Sequence, residues 1–188
     1  MESAIAELVE FVVWLDHRVV ELMLAVRSPL LTEVMTSVTG LGSATAALVF
    51  LGICYLAGWT DELRVATLAL ALAAVVVGTM MWTIQRSFPP DPVCFVSGAQ
   101  PVTSSLPSGH TAAATIYAMT ARRSSVLPVG AVGVLAVAIA VSRIYLGTHY
   151  FSDTLVGALI GVGAFALAVS IQDRLDIGAA ITRYRNRQ

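Results

Sequence analysis

Long apolar runs broken by short polar turns account for most of this chain, and the first run differs from the rest. From about Ser3 to Val26, Ile5, Leu8, Val12, Leu15, Val19 and Leu22 recur at spacings of three and four, with Glu7, Glu10, Asp16, His17, Arg18 and Glu21 between them. That spacing predicts an amphipathic helix, and so many charges are costly inside lipid. The helix is therefore expected to lie at the membrane interface or against a bundle rather than to span. Arg27-Ser28-Pro29 ends it. The following runs are apolar enough to cross a bilayer, which takes about 20 residues per helix. One helix is predicted from about Leu31 towards Gly58, closed by the turn Trp59 to Glu62, and a second from Leu63 to about Gln85, stopped by Pro89, Pro90 and Pro92. Residues 87–106 form the only long loop, rich in proline and serine, and long loops tend to carry function. A shorter helix from about Pro107 to Ala121, one from Val126 to about Leu146 and one from Ser152 to Ile171 complete the pattern, with Gly147 separating the last two. The expectation is an all-α membrane bundle of about five transmembrane helices (28–175), preceded by the amphipathic helix (1–27) and followed by an arginine-rich tail (176–188).

Composition agrees with the pattern. Of the 188 residues 57% are hydrophobic and 12% charged, against roughly 25% charged in soluble domains. All eleven basic residues are arginines, and a net charge of −1 gives no reason to expect nucleic acid as a partner. If the spans alternate, Arg122, Arg123, Arg174, Arg183, Arg185 and Arg187 fall on one side. The positive-inside rule makes that side the cytoplasm. The loop 87–106 and the turn 147–151 then face outward together. Cys54, in an apolar run, and Cys94, in the loop, have no metal-ligand spacing and read as packing residues, not a disulfide.

Both outward-facing segments carry candidate chemistry. Leu106-Pro107-Ser108-Gly109-His110 stands where the loop enters a helix. Unpaired N–H groups and the positive end of the helix dipole favour a phosphate there, Ser108 can donate, and His110 can deliver a proton. The same residues also suit an ordinary helix start. In the second cluster Ser142-Arg143 precedes His149 and Asp153. An arginine near the outer end of a membrane helix calls for an anionic partner, and its fork matches phosphate oxygens. His149 and Asp153, four residues apart, fall on one face of a helical turn. A carboxylate on one imidazole nitrogen would fix the tautomer and leave the other as a nucleophile. Capping and a surface hydrogen bond would need the same pair.

Together the two clusters resemble the type 2 phosphatidic acid phosphatase family, which shares its site with bacterial acid phosphatases and vanadium haloperoxidases. Pro107-Ser108-Gly109-His110 matches the family's second motif, and Ser142-Arg143, five residues, His149, three residues and Asp153 match its third. The resemblance runs from about Arg27 to the last span and implies a lipid phosphate phosphohydrolase, acting on phosphatidate, phosphatidylglycerophosphate or a polyprenyl diphosphate. It implies that His149 attacks phosphorus to give a phosphohistidine, that His110 protonates the leaving oxygen and that Asp153 orients His149. Ser108, the Gly109 N–H and Arg143 would hold the phosphoryl oxygens, with no metal and no cofactor.

The first motif departs from the family, which has a lysine, six residues, then Arg-Pro. This chain has no lysine, and Met81 and Phe88 stand where the cations belong; Arg86 is the cation nearby and is the expected substitute phosphate contact. The same residues leave room for a phosphotransferase that uses an alcohol in place of water, and for a non-catalytic binder or carrier of lipid phosphates.

Overall fold

The computed structural model describes residues 2–93 and 104–185, all of it helix and connecting loop. Cys94 and most of the loop that contains it lie outside the described residues. Among the described residues seven helices follow one another: α1 (Glu2–Ala25), α2 (Pro29–Gly40), α3 (Ala44–Leu56), α4 (Thr60–Thr83), α5 (Gly109–Arg123), α6 (Val129–Tyr145) and α7 (Phe151–Arg185). Helices α4, α5 and α7 meet around Val65, Ala69 and Ala73 of α4, Ile116 of α5, and Ala164, Phe165 and Ala168 of α7. Small residues dominate this core because helices in lipid gain little from hiding apolar surface and associate through close packing. Helix α6 packs on α5 and α2, and α1 lies across α6 and α7. Cys54 is fully buried, as a packing residue should be.

The predicted helix from Leu31 to Gly58 is two helices, bent by 54° at residues 41–43. Ser43 starts α3 by accepting the Ala46 N–H at 3.2 Å. A Cβ on Gly42 would stand 2.8 Å from Ile139 Cγ2 and 3.0 Å from His110 Cβ. The local cap and this close approach outweigh the continuous apolar pattern that suggested one helix. By length and composition α4 and α7 qualify as membrane spans, and the α2–α3 pair makes a third if it counts as one broken span. Helix α6, apolar over 17 residues, and α5, with 15, are shorter.

Two glycines one helical turn apart on α7 bring it against α5. A Cβ on Gly157 would collide with the Ser108 carbonyl oxygen, and one on Gly161 would meet the Ala112 carbonyl oxygen at 2.7 Å and Thr115 Cβ at 2.8 Å. This small-residue seam holds the start of α5 beside the start of α7. A Cβ on Gly163, two residues on, would meet nothing within 4 Å. Gly157→Ala should therefore cost about 1–3 kcal/mol of stability through overpacking against backbone, whereas Gly163→Ala should not lower the melting temperature in detergent. Equal melting temperatures for the two variants would contradict this packing.

Candidate active site

The candidate site residues Arg86, Ser108, Gly109, His110, Arg143, His149 and Asp153 lie at one end of the bundle, where the starts of α5 and α7 meet the end of α6 and the segment after α4. Ser108 is the N-cap of α5. Its Oγ accepts from the Thr111 N–H at 3.3 Å and from the Thr111 hydroxyl at 2.9 Å, which leaves its own hydrogen to donate. The Ser108 N–H donates to the Asp153 carbonyl at 3.1 Å, tying the α5 start to the α7 start. Gly109 and His110 follow in the first turn, both half-buried. Arg143 reaches in from the last turn of α6 and donates to the Thr39 hydroxyl at 3.0 Å.

His149 sits in the turn between α6 and α7, 4% exposed. Gly147, with φ of +70°, makes that turn possible, and a side chain there would strike the Arg27 guanidinium at 2.9 Å. Arg27 in turn donates to the Tyr145 carbonyl from Nε at 3.1 Å and to the Asp91 carbonyl at 2.7 Å, clamping the turn to the long loop. His149 Nδ1 is hydrogen-bonded to the Ser105 carbonyl. A carbonyl can only accept, so Nδ1 carries the proton and Nε2 keeps its lone pair. Burial, followed by the nearby positive charge of Arg143, pushes the His149 pKa down to about 3; the hydrogen bond to Ser105 opposes this and His110 adds to it.

Asp153 is fully buried, yet it is not the direct partner of the imidazole. Its Oδ2 lies 4.0 Å from His149 Nδ1 and accepts the Tyr150 N–H at 2.8 Å. Its Oδ1 accepts from Arg86 Nη1 at 2.5 Å. The hydrogen bond on Nδ1 that was expected from Asp153 is made by the Ser105 carbonyl, and the carboxylate stands behind at 4.0 Å.

Arg86, expected to contact phosphate, lies between two carboxylates. Besides Asp153 it donates to Asp16 Oδ2 at 2.8 Å and to the Ser152 hydroxyl at 2.8 Å, and its guanidinium lies 4.2 Å from the centre of the Tyr150 ring. Hydrogen bonds and charge from Asp16 and Asp153 outweigh desolvation and hold its pKa above the usual value. Asp16, on α1, is 1% exposed and also accepts the Ser152 N–H at 2.8 Å and the Ser152 hydroxyl at 2.6 Å. By the sequence pattern Asp16 belongs with the charged positions of an amphipathic helix. It stands one helical turn before Val20, also buried, where α1 packs on α6 and α7, and its partners lie too far along the chain to be read from local spacing.

The sequence model of the PAP2 superfamily matches residues 68–176, more than half of the chain. Decaprenylphosphoryl-5-phosphoribose phosphatase of Mycobacterium tuberculosis is 35% identical over 88 residues, 47% of this chain and 49% of that protein. The match thus spans about half the length of these curated relatives. Among solved structures, a transmembrane PAP2-type phosphatidylglycerolphosphate phosphatase from Bacillus subtilis superposes with a TM-score of 0.73 at 24% identity, over 85% of each chain. LpxE of Aquifex aeolicus gives 0.68 at 24% identity, over 81% of this chain and 93% of its own. At this identity the two structures establish a shared fold.

The depressed pKa and the Ser105 contact predict the state of His149 directly. In nitrogen-15 NMR of histidine-labelled protein, His149 should remain the neutral Nδ1–H tautomer at pH 5. An imidazolium signal from His149 at pH 6 would contradict the buried, Arg143-facing geometry.

Proposed function

Since the chain belongs to the PAP2 superfamily, we propose that it is a membrane-embedded phosphohydrolase that removes phosphate from a lipid through a phosphohistidine on His149. The observation that carries this reading is the buried imidazole whose Nδ1–H is committed to the Ser105 carbonyl, with Arg143 and the start of α5 beside it. In the proposed reaction Nε2 attacks phosphorus, the bond to the lipid oxygen breaks, and His110 gives that oxygen a proton. Water then attacks the phosphohistidine and releases inorganic phosphate. Developing charge on the phosphoryl oxygens is met by Arg143, the Ser108 hydroxyl and the N–H groups opening α5, from Gly109 on. Attack makes the His149 ring cationic, and the Asp153 carboxylate near Nδ1 stabilises that charge.

These groups supply the charge stabilisation that a divalent ion supplies in other phosphoryl transfers, and the proposed chemistry is independent of metal. The substrate class follows from the setting: a bundle of apolar helices keeps a lipid tail in the bilayer while the head group meets the site at its rim. The named activities of the relatives, on a polyprenyl-linked phosphoribose and on phosphatidylglycerolphosphate, belong to the same class. We further propose that five spans, with α2–α3 as one, place the site on the outer face and the chain's C-terminal end in the cytoplasm, from the clustering of arginines near the opposite end.

The test is phosphate release by the detergent-solubilised protein from a panel of lipid phosphates in EDTA. Wild type should hydrolyse at least one of them at a rate that Mg²⁺ does not raise, and His149→Ala should show no turnover. His110→Ala should lose about 10²-fold or more on lipid esters and much less on an activated aryl phosphate, whose oxygen leaves without a proton. Activity that disappears in EDTA and returns with Mg²⁺, or equal losses of His110→Ala on both substrates, would overturn these assignments.

A further inference from the structure

We propose that Asp16 and Arg86 are positioning residues of the active site, and that Arg86 serves the carboxylate behind His149 and not the phosphate. The inference rests on the hydrolase reading above and extends it to α1, a helix outside both matched motifs. Three buried or half-buried charges stand in a row, with Arg86 Nη1 on Asp153 and Nη2 on Asp16. The arginine is fixed on every side: Tyr150 under its plane, the Ser152 hydroxyl at 2.8 Å, and its own backbone tied to the Ser104 and Ser105 segment, where the Ser105 N–H donates to the Arg86 carbonyl at 2.9 Å. A guanidinium spanning two carboxylates in this way is not turned toward a phosphoryl group.

The second carboxylate has an electrostatic purpose. Asp153, fully buried, needs a cation to stay ionised, and Arg86 provides it. One arginine with one aspartate, however, forms a neutral pair whose field at His149 largely cancels. Asp16 returns the row to a net charge of −1, so a negative potential survives where the imidazole becomes cationic during attack. Asp16 also accepts the Ser152 N–H in the first turn of α7, so α1 holds the same turn of backbone that carries Asp153. Ground-state binding of the phosphate uses neither residue.

The experiment is steady-state kinetics of the full chain carrying Asp16→Asn, Arg86→Gln or both, with inorganic phosphate as competitive inhibitor and thermal unfolding as a check on folding. Asp16→Asn should lower kcat by about 10- to 100-fold, the range for groups that support a reactive ligand from behind, with KM and the phosphate inhibition constant within about twofold of wild type. The double variant should be no slower than Arg86→Gln alone, because Asp16 acts through Arg86. If Arg86→Gln does not accumulate in folded form, Arg86→Lys replaces it, keeping the charge but losing the fork, and should lower kcat with the inhibition constant unchanged. A tenfold weaker phosphate inhibition in either Arg86 variant would make Arg86 a phosphate contact and overturn the proposal, as would a normal kcat in Asp16→Asn. Wild-type protein that releases no phosphate from any substrate would instead count against the hydrolase reading itself.

Discussion

The His149 imidazole lies in the protein interior with its Nδ1–H on the Ser105 carbonyl, and much of the surrounding structure serves to keep that carbonyl in place. Ser105 comes from a loop, which alone would be a poor support for a fixed imidazole. The loop is stitched to the segment after α4: the Ser104 hydroxyl donates to the Ile84 carbonyl at 2.5 Å, the Ser105 hydroxyl to the Ser87 carbonyl at 3.0 Å, and the Ser105 N–H to the Arg86 carbonyl. All of these groups are partly or wholly removed from water, where losing one partner of a buried hydrogen bond costs about 1–3 kcal/mol. Serines that read as loop composition in the sequence are thus the connectors that make a fixed site from an irregular segment.

From that anchor the geometry passes outward through two clamps. Arg27 joins the end of α6 to the long loop around Gly147, and the Asp16, Arg86 and Asp153 row joins α1 to the start of α7. Both clamps pair an arginine with oxygens from distant parts of the chain, which suits arginine's rigid fork of donors. The glycine seam of α7 on α5 supplies the third constraint, since the backbone of Ser108 packs directly on Gly157. The site therefore rests on contacts between helix ends, while the middle of each helix is left to face lipid or neighbouring helices.

How much of this was legible in the sequence follows from the range of each interaction. Helix positions were readable because apolar runs and proline or glycine breaks are local, and α1, α4, α5, α6 and α7 begin and end near their predicted limits, apart from the C-terminal extension of α7 to Arg185. The bend at Gly42 was not, because besides the local Ser43 cap it involves the approach of Ile139 and His110, far along the chain. Ser108, His110, Arg143, His149 and Asp153 could be named from short spacings, and the fold brings them to one end of the bundle. The partners of Arg86 could not be read, since Asp16 lies 70 residues away and Asp153 lies 67. Ser105 was invisible for a different reason: it acts through a backbone carbonyl, which every residue has.

In the proposed reaction His149 takes the phosphoryl group onto its own nitrogen, and the direct measurement is to trap it there. Protein mixed briefly with a phosphorus-32-labelled lipid phosphate and quenched in base should carry label that is stable to alkali, lost in acid and mapped to a peptide containing His149. His149→Ala should carry none. Turnover that continues with no label on the protein at any reaction time, or label that maps to another residue, would contradict the account.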